Sequence, residues 1–417
     1  MNSPTPKRTA KHLLPSDLRG MAQLGSQATA GIARIVEGVH QSIWDRLGMP
    51  GGPTAGQTRG ITGLAYKSVH GVNRLVGVGL QALLRRIEAS SPAGAQESPQ
   101  RAALLAALNG VMGDHLLATQ NPLATPMSLR WQGQALDWQD LPPAFAPTGK
   151  VLLLIHGLCM NDLQWQTSHQ DRLVDHGQAL AQALGYTAIY LRYNSGLHTS
   201  QNGRELAAQL EQLARHWPTP IEEISIVAHS MGGLLTRSAC QLAAEQNMSW
   251  LPRLKNIIFL GTPHHGAPLE RAGNWIDVLL GSTSYTAPLA KLGQLRSAGI
   301  TDLRHGHVRD EDWQGDNRFH RLPDQRLITP LPAGVNCFAV AATMAAKRGA
   351  LANRLIGDGL VPLHSALGEH SDPRRDLGFA KSEQLVCYRM NHMELLSSPL
   401  LTQQMLDWLK PAKTVKA

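Results

Sequence analysis

The chain contains 417 residues, of which 43% are hydrophobic, and it carries a net charge of +8. This length and composition suit one large globular domain with an extension. No run comes near the roughly 20 apolar residues of a membrane span, and no apolar segment of the signal-peptide type follows the basic N-terminus, so we expect a cytoplasmic protein. The four cysteines lie in or beside predicted core elements, so we expect buried thiols rather than disulfides.

Most of the positive charge lies near the N-terminus. Residues 1–100 contain eleven Lys and Arg against five Asp and Glu, so this quarter of the chain holds +6 of the total +8. Such an excess indicates either attraction to an anionic lipid surface or another polyanion, or a solvated helix surface without a partner. No feature indicates sequence-specific recognition of nucleic acid.

The N-terminal zone is predicted to be helical after a disordered start. We expect disorder over residues 1–15 and an all-helical extension over 16–118. Apolar residues recur at helical spacing in two long segments that a Gly/Pro-rich break at residues 48–53 separates, and a third helix is predicted over about 100–117. Each of the many glycines weakens a free helix by about 1 kcal/mol, so the two long helices need a partner. We expect them to pack on the main domain; another subunit and a lipid surface are the alternatives.

From about residue 120 the pattern changes to alternating strands and helices, which is typical of a mostly parallel sheet. We expect an α/β domain over residues 120–410, with helices on both faces of the sheet. Residues 264–333 lack a strand pattern and are predicted to form a cap or lid over the carboxyl ends of the strands. The predicted strands are a hairpin at 128–138 and segments 150–156, 186–193, 223–229, 255–260, 335–341 and 384–389; the predicted helices are 170–184, 202–215, 231–246 and 399–409.

Residues 224–233 predict a nucleophile elbow, the strained strand-to-helix turn that exposes a nucleophilic serine. An apolar, β-branched run leads directly into Ser230, small residues flank it, and a helical segment follows. Ala228 stands where the usual motif has its first glycine, and Gly232 fills the rear position. The turn would place the backbone N–H of Met231 beside the serine. The alternative is that Ser230 is only a helix N-cap.

The loop after the first buried strand, Ile155-His156-Gly157-Leu158, is a candidate oxyanion loop. Acyl transfer needs two N–H donors directed at the developing oxyanion. Met231 would supply one. The N–H of Leu158 is the candidate for the other, because Gly157 lets the backbone turn inward. The alternative is an ordinary glycine turn after a strand, but the downstream elbow favours the oxyanion loop.

An acid and a base are expected after later strands. Asp358 lies between two glycines in a tight loop, and His392 follows the last predicted strand. The order Ser230, Asp358, His392 is the chain order of a Ser-Asp-His triad in this type of sheet. An Asx-turn would explain Asp358 without chemistry. His364 and His370 are alternatives for the base, but they precede the last strand and are expected at the surface.

Together these segments resemble the α/β-hydrolase superfamily, and within it the lipase branch related to the GPI inositol-deacylase family. The resemblance covers about residues 125–410 and leaves the first 120 residues unmatched. A Gly-Thr-Pro-His-x-Gly run after the strand that follows the elbow is typical of lipases and acyltransferases of this branch. The motifs that carry the resemblance are His156-Gly157, Ala228 to Gly233, Gly261 to Gly266, Asp358 to Pro362 and Asn391-His392.

The resemblance implies a serine carboxylic-ester hydrolase that works through an acyl-enzyme, without a metal or an organic cofactor. Ser230 would attack the ester, His392 would move its proton, and Asp358 would orient the imidazole. His264 and His265 are expected to anchor the cap rather than to bind zinc. Acyl transfer and thioester hydrolysis are alternatives on the same fold. A catalytically silent binding or scaffold protein is the alternative from another class.

A lipid or another hydrophobic ester is the expected substrate, for two reasons. One is the lipase-like run after the elbow, and the other is the basic, helical N-terminal region, which could rest on a membrane surface. Peripheral contact with the inner face of a membrane through these helices is therefore a secondary hypothesis. The sequence predicts no oligomeric state.

Overall fold

A computed structural model describes residues 16–27, 98–169, 172–267, 297–314, 324, 326–346 and 357–410. The disorder expected for residues 1–15, the Gly/Pro-rich break, the second long N-terminal helix and much of the expected cap lie outside these residues. The described residues form two compact units. Residues 16–27, 98–101 and 116–124 belong to the first, and residues 102–115 and those from 125 onward belong to the second. In the ranges given, no helix is long and apolar enough to cross a membrane.

In the first unit, residues 16–27 form a helix, as the periodicity predicts for the start of the extension. Polar contacts attach this helix to later parts of the chain. Arg101 donates through two guanidinium nitrogens to the two carboxylate oxygens of Asp17, each at 2.7 Å. The side chain of Asn121 donates to the carbonyl of Gly20 at 3.1 Å. The third predicted helix is also present, as α1 (Pro99–Ala118), with a break in helical geometry at Met112. Its two ends belong to the first unit and residues 102–115 to the second.

The second unit is built on an eight-stranded sheet whose strands occur in the order β2-β1-β6-β3-β7-β8-β9-β10. All neighbours from β6 to β10 pair in parallel, and the hairpin β1–β2 adds antiparallel to β6. These strands are β1 (Ser128–Trp131), β2 (Gln134–Ala135), β3 (Lys150–Ile155), β6 (Thr187–Arg192), β7 (Glu223–His229), β8 (Leu254–Leu260), β9 (Asn336–Thr343) and β10 (Gln384–Tyr388). Each predicted strand is therefore confirmed to within a few residues.

Helices cover both faces of the sheet, because its central strands are apolar on both sides. In β3, Val151 and Leu153 belong to one buried cluster, and Leu152 and Leu154 belong to the other. This alternation within a continuous apolar run is what a parallel strand buried on two faces requires. The helices α3 (Thr199–His216) and α4 (Met231–Glu245) contribute to the first cluster, and α2 (His176–Leu184) and α7 (Pro399–Leu409) contribute to the second.

One predicted helix begins later than expected. Residues 170–175 were expected in a helix, but the described part of this segment belongs to a hairpin of β4 (Gln166–His169) and β5 (Arg172–Asp175). The side chain of Asp175 accepts the N–H of Gln178 at 2.9 Å and caps α2. The helix therefore starts after this aspartate, since an N-cap residue lies outside helical geometry.

Part of the expected cap is described, at residues 297–314, and it contains α5 (Ala298–His305). Asp302 is fully buried there. It accepts the Nδ1 protons of His198 and His307, each at 3.1 Å, and the N–H of Thr199 at 2.7 Å. Burial alone would raise the pKa of Asp302, but the hydrogen bonds from the two histidines hold it below its usual value. This carboxylate attaches the segment to the start of α3.

Candidate active site

Ser230 occupies a strained turn between β7 and α4. Its φ of 53° and ψ of −122° lie where residues with a side chain are rarely found, as a nucleophile elbow requires. The backbone N–H of Ser230 donates to the carbonyl of Leu260 at 2.8 Å, which holds the turn against the end of β8. The serine side chain makes no capping hydrogen bond to α4, which argues against the N-cap alternative.

Small residues are required around this turn. Ala228 is fully buried at the end of β7. A Cβ on Gly232 would lie only 2.6 Å from the carbonyl oxygen of Ile155 and 2.7 Å from that of His156. Only glycine therefore lets α4 begin this close to the end of β3.

Asp358 and His392 form a buried pair. Nδ1 of His392 lies 2.6 Å from Oδ2 of Asp358, and both side chains are at most 2% exposed. A carboxylate only accepts, so Nδ1 carries the proton, and Nε2 of the neutral ring then has its lone pair available. The other oxygen, Oδ1, accepts the N–H of Leu360 at 2.9 Å and of Val361 at 2.7 Å. The Asx-type turn and the pairing with histidine thus coexist, because each uses a different oxygen.

His392 lies beside the elbow strand. The ring of His229, the residue before Ser230, is 4.6 Å from the ring of His392 between centroids. A Cβ on Gly261, the residue after β8, would lie 2.9 Å from Cε1 of His392. Nε2 of His392 is buried and has no hydrogen-bond partner among the described residues, so the Ser230 hydroxyl does not bond to it in this conformation. Hydrogen bonds between nucleophile and base often tighten only when substrate binds.

Leu158 and Met231, the candidate oxyanion donors, are both buried. Within the described part of the chain, neither of their backbone N–H groups donates to a protein acceptor. Buried N–H groups without a partner are rare in native proteins. A Cβ on Gly157 would lie 3.0 Å from Cβ of Ser230, so this loop passes directly against the elbow. Both N–H groups are thus available to an acceptor.

His156 orients the peptide that carries the Leu158 N–H. Its Nδ1 lies 2.8 Å from the carbonyl oxygen of Gly157, and Nδ1 must donate because a carbonyl only accepts. The Gly157 carbonyl and the Leu158 N–H belong to one planar peptide, so holding one holds the other. The imidazole stacks on Tyr193 with centroids 4.3 Å apart. Burial lowers the pKa of His156 to about 3, so the ring stays neutral.

Helix α1 packs against the same loop. A Cβ on Gly110 would lie 2.9 Å from Cα of Cys159, the residue after Leu158. Cys159 has a positive φ of 59°, and its N–H donates to the Ser195 hydroxyl at 3.0 Å. Contacts from α1 and from the loop after β6 therefore hold the backbone next to the Leu158 N–H.

His229 contacts the candidate base, a role that the sequence did not predict. Its Nε2 donates to the backbone carbonyl of His392 at 3.3 Å. Burial, followed by the charge of His392, holds the pKa of His229 well below its usual value, so His229 stays neutral when His392 is protonated. The only sequence signal was a histidine immediately before the serine, and nothing in the pattern indicated which ring it would face.

The other histidines considered have different surroundings. Nε2 of His370 lies 3.6 Å from Asp324, and His364 lies in the short helix α6 (Leu363–Ala366), so Asp358 pairs with His392 alone among the three candidate bases. His264 is fully buried, with its ring 4.8 Å from that of Phe259. Over the described ranges, no group of three or more His, Cys, Asp or Glu could hold a metal ion. All four cysteines are buried and free.

Comparisons with known proteins give the following matches. A family model described as a domain of unknown function, DUF7379, matches residues 118–303. No curated protein matches the chain. Among solved structures, the mature lipase BlEst2 of Bacillus licheniformis is 18% identical, with a TM-score of 0.41 over 69% of this chain and 100% of that one. Phospholipase PlaB of Legionella pneumophila is 16% identical, with a TM-score of 0.33 over 52% of this chain and 45% of that one. An esterase of Pyrobaculum calidifontis is 12% identical, with a TM-score of 0.35 over 62% of this chain and 74% of that one.

The fold of this chain is the α/β-hydrolase fold. A mostly parallel sheet carries helices on both faces, and a serine occupies the sharp turn between a central strand and the following helix. An aspartate after β9 and a histidine after β10 meet beside that turn. The fold predicted from the sequence is confirmed.

Proposed function

We propose that this protein is a serine hydrolase of the lipase or esterase type that cleaves carboxylic esters through an acyl-enzyme. The observation that carries the proposal is the buried Asp358–His392 pair, 2.6 Å apart, beside an elbow that holds Ser230 at a φ of 53°. The N–H groups of Leu158 and Met231, which have no acceptor among the described residues, add to this support. A structural aspartate–histidine pair would need neither the elbow nor the two free donors.

In the proposed reaction, Oγ of Ser230 attacks the ester carbonyl carbon while Nε2 of His392 takes the hydroxyl proton. The carboxylate of Asp358 stabilises the resulting imidazolium. The N–H groups of Leu158 and Met231 donate to the oxyanion of the tetrahedral intermediate. His392 then gives its proton to the leaving alcohol. Water attacks the acylated serine by the same route, which releases the acid and restores the hydroxyl.

The proposed substrate class is a lipid or another hydrophobic ester. It rests on the Gly-Thr-Pro-His-x-Gly run at residues 261–266 and on the basic N-terminal region. Membership of the branch related to the GPI inositol-deacylases and peripheral membrane contact are parts of the same proposal. Co-sedimentation with anionic vesicles at low and high salt tests the membrane contact, because salt screens charge attraction. Absence of binding at low salt would exclude it.

A fluorophosphonate probe tests the nucleophile. The wild-type protein should be labelled at Ser230, and the folded Ser230→Ala variant should lose both the label and ester turnover. Ser249→Ala serves as the matched control, because Ser249 lies in the loop after α4, and it should keep the label and the activity. An unlabelled but folded wild-type protein would indicate the catalytically silent scaffold instead.

A series of p-nitrophenyl esters from acetate to palmitate tests the substrate class. We expect kcat/KM to rise with acyl length, because a longer chain buries more apolar surface. A maximum at acetate would contradict the lipid proposal. Faster turnover of an acyl thioester, or products acylated on an added alcohol, would favour thioester hydrolysis or acyl transfer.

A further inference from the structure

The second unit contains a cavity of about 80 Å³ that the proposed reaction does not use. Neither Ser230 nor Asp358 nor His392 lines it. Its walls come from Arg237 on α4, from the residues after β8, and from segments 306–312, 326–331 and 374–377. The cavity has room for several water molecules or for one tetrahedral ion.

Arg237 brings a buried positive charge to this wall. The residue is only 5% exposed. One terminal nitrogen of its guanidinium donates to the carbonyl of Thr329, but Nε is buried and has no hydrogen-bond partner among the described residues. No described carboxylate forms an ion pair with it. Burial lowers the pKa of Arg237 to about 10, so the side chain is still charged at neutral pH. An unpaired buried cation is costly unless another group compensates for it.

Other charged groups at the cavity offset the buried charge of Arg237 only in part. Arg326 also lines the cavity, and the two carboxylate oxygens of Asp324 already accept from it at 2.9 and 2.6 Å. Asp312 lines the cavity as well, and its charge favours the charged form of Arg237, but its oxygens accept the backbone N–H groups of Leu327 at 2.8 Å and Val308 at 2.9 Å rather than the guanidinium. The charged lining residues are four arginines and two aspartates: Arg237, Arg326, Arg374, Arg375, Asp312 and Asp376.

His264 is the second unsatisfied group at this wall. It is fully buried, and neither Nδ1 nor Nε2 has a hydrogen-bond partner in the described part of the chain. Burial and the charge of Arg237 hold the pKa of His264 well below its usual value, so the ring is neutral, with one N–H donor and one lone pair. Arg237 and His264 thus both line this cavity, and each has a buried side-chain nitrogen without a hydrogen-bond partner among the described residues.

We propose that this cavity binds a phosphate-type oxyanion, either free phosphate or the phosphate of a head group, through Arg237 with His264 beside it. Guanidinium groups bind phosphate through charge-assisted hydrogen bonds, and the free Nε–H supplies such a donor. The site does not depend on the chemistry of Ser230, so it is independent of the proposed function.

Isothermal titration of the full-length protein tests this site. The titrants are inorganic phosphate and glycerol 3-phosphate, each compared with chloride at equal ionic strength. We expect a Kd of about 1 mM or tighter for at least one of the two phosphates and no saturable binding of chloride. Tighter binding of inorganic phosphate would assign the site to the free ion, and tighter binding of glycerol 3-phosphate would assign it to a head group. Absence of saturable binding for both would overturn the proposal.

Matched variants locate the site. Arg237→Met should weaken phosphate binding at least tenfold, while Arg215→Met, which removes an exposed arginine on α3, should change it less than twofold. Arg237→Lys and His264→Phe serve if the methionine variant does not fold. Lysine keeps the charge but not the planar donor set, so it should also bind more weakly. Unchanged affinity in the folded Arg237 and His264 variants would overturn the proposal.

Discussion

At the scale of the residue, backbone strain marks Ser230, the proposed nucleophile, as much as its chemistry does. Ser230 has a φ of 53°, a conformation that costs on the order of 1–3 kcal/mol for a residue with a side chain. The surroundings that hold it there include the hydrogen bond to Leu260 and the close approach of Gly232 to β3. The proposed function therefore predicts a conflict between stability and activity at this position.

Ser230→Gly should separate stability from activity. Glycine adopts a positive φ readily, so the free energy of unfolding of this variant should exceed that of Ser230→Ala by roughly 1 kcal/mol. The glycine variant should therefore unfold at a higher temperature. Both variants should lose ester turnover by about 10⁴-fold or more. Thermal unfolding and p-nitrophenyl ester assays measure the two effects. A glycine variant no more stable than the alanine variant would show that the turn is not strained.

The pairing of Asp358 with His392 predicts a graded loss of activity when each residue is replaced. His392→Ala should lower kcat nearly as much as loss of Ser230, and Asp358→Asn should lower it somewhat less, about 10⁴-fold, because the amide favours the wrong imidazole tautomer. Wild-type activity should fall in acid, since a protonated imidazole cannot accept the serine proton. His370→Ala is the control, because this ring lies near Asp324. Normal turnover by a folded His392→Ala variant would assign the base elsewhere.

At the scale of the element, residues 102–115 of α1 belong to the same compact unit as the eight-stranded sheet. The sequence predicts this helix as part of the N-terminal extension, and nothing in its periodicity indicates a contact with the candidate oxyanion loop. The contact requires residues without a side chain at positions 110 and 113. A Cβ on Gly110 would lie 2.3 Å from Sγ of Cys159, and one on Gly113 would lie 1.8 Å from the side chain of Asn194.

Gly110→Ala should therefore lower kcat without a comparable change in KM. The added methyl would push against Cys159 and displace the neighbouring Leu158 N–H, and the loss of one oxyanion donor costs about 10²–10³-fold in kcat. Gly25→Ala is the matched control, because Gly25 is a helical glycine and no described residue lies within 4 Å of the added carbon. It should keep full activity. Equal kinetics for the two variants would argue against α1 as a support for the loop.

At the scale of the whole molecule, four buried histidines couple stability to pH. Burial is the largest cause that lowers the pKa of each of His156, His176, His229 and His264, to about 3 for His156. In the unfolded chain the same groups titrate near about 6.5. Below that pH the unfolded state binds more protons than the folded state. Acid therefore favours unfolding.

The free energy of unfolding should decrease as the pH falls through about 6.5, by about 1.4 kcal/mol at roughly pH 5.5 for each of His156, His229 and His264, whose pKa values are held well below 6.5. His176 should contribute in the same direction. Urea unfolding at roughly pH 7.5 and 5.5 measures the difference, in a window above the titration of ordinary carboxylates. His264→Phe should reduce this pH-dependent difference by the contribution of one histidine. Phenylalanine is a suitable replacement, because the ring of His264 lies between the aromatic rings of Phe259 and Phe379. Equal stability at the two pH values would contradict neutral burial of these rings.

The sequence by itself determined the sheet, the elbow and the chain order of the candidate triad. These features depend on local patterns: apolar runs that can only be buried strands, small residues around Ser230, and a glycine-flanked Asp358. Tertiary structure decided which side chains meet. Only folding brings His229 against His392, α1 against the loop at Cys159, and Arg237 to the same cavity as His264. Such contacts join residues far apart in the chain, so the spacing of residues along the sequence carries no signal for them.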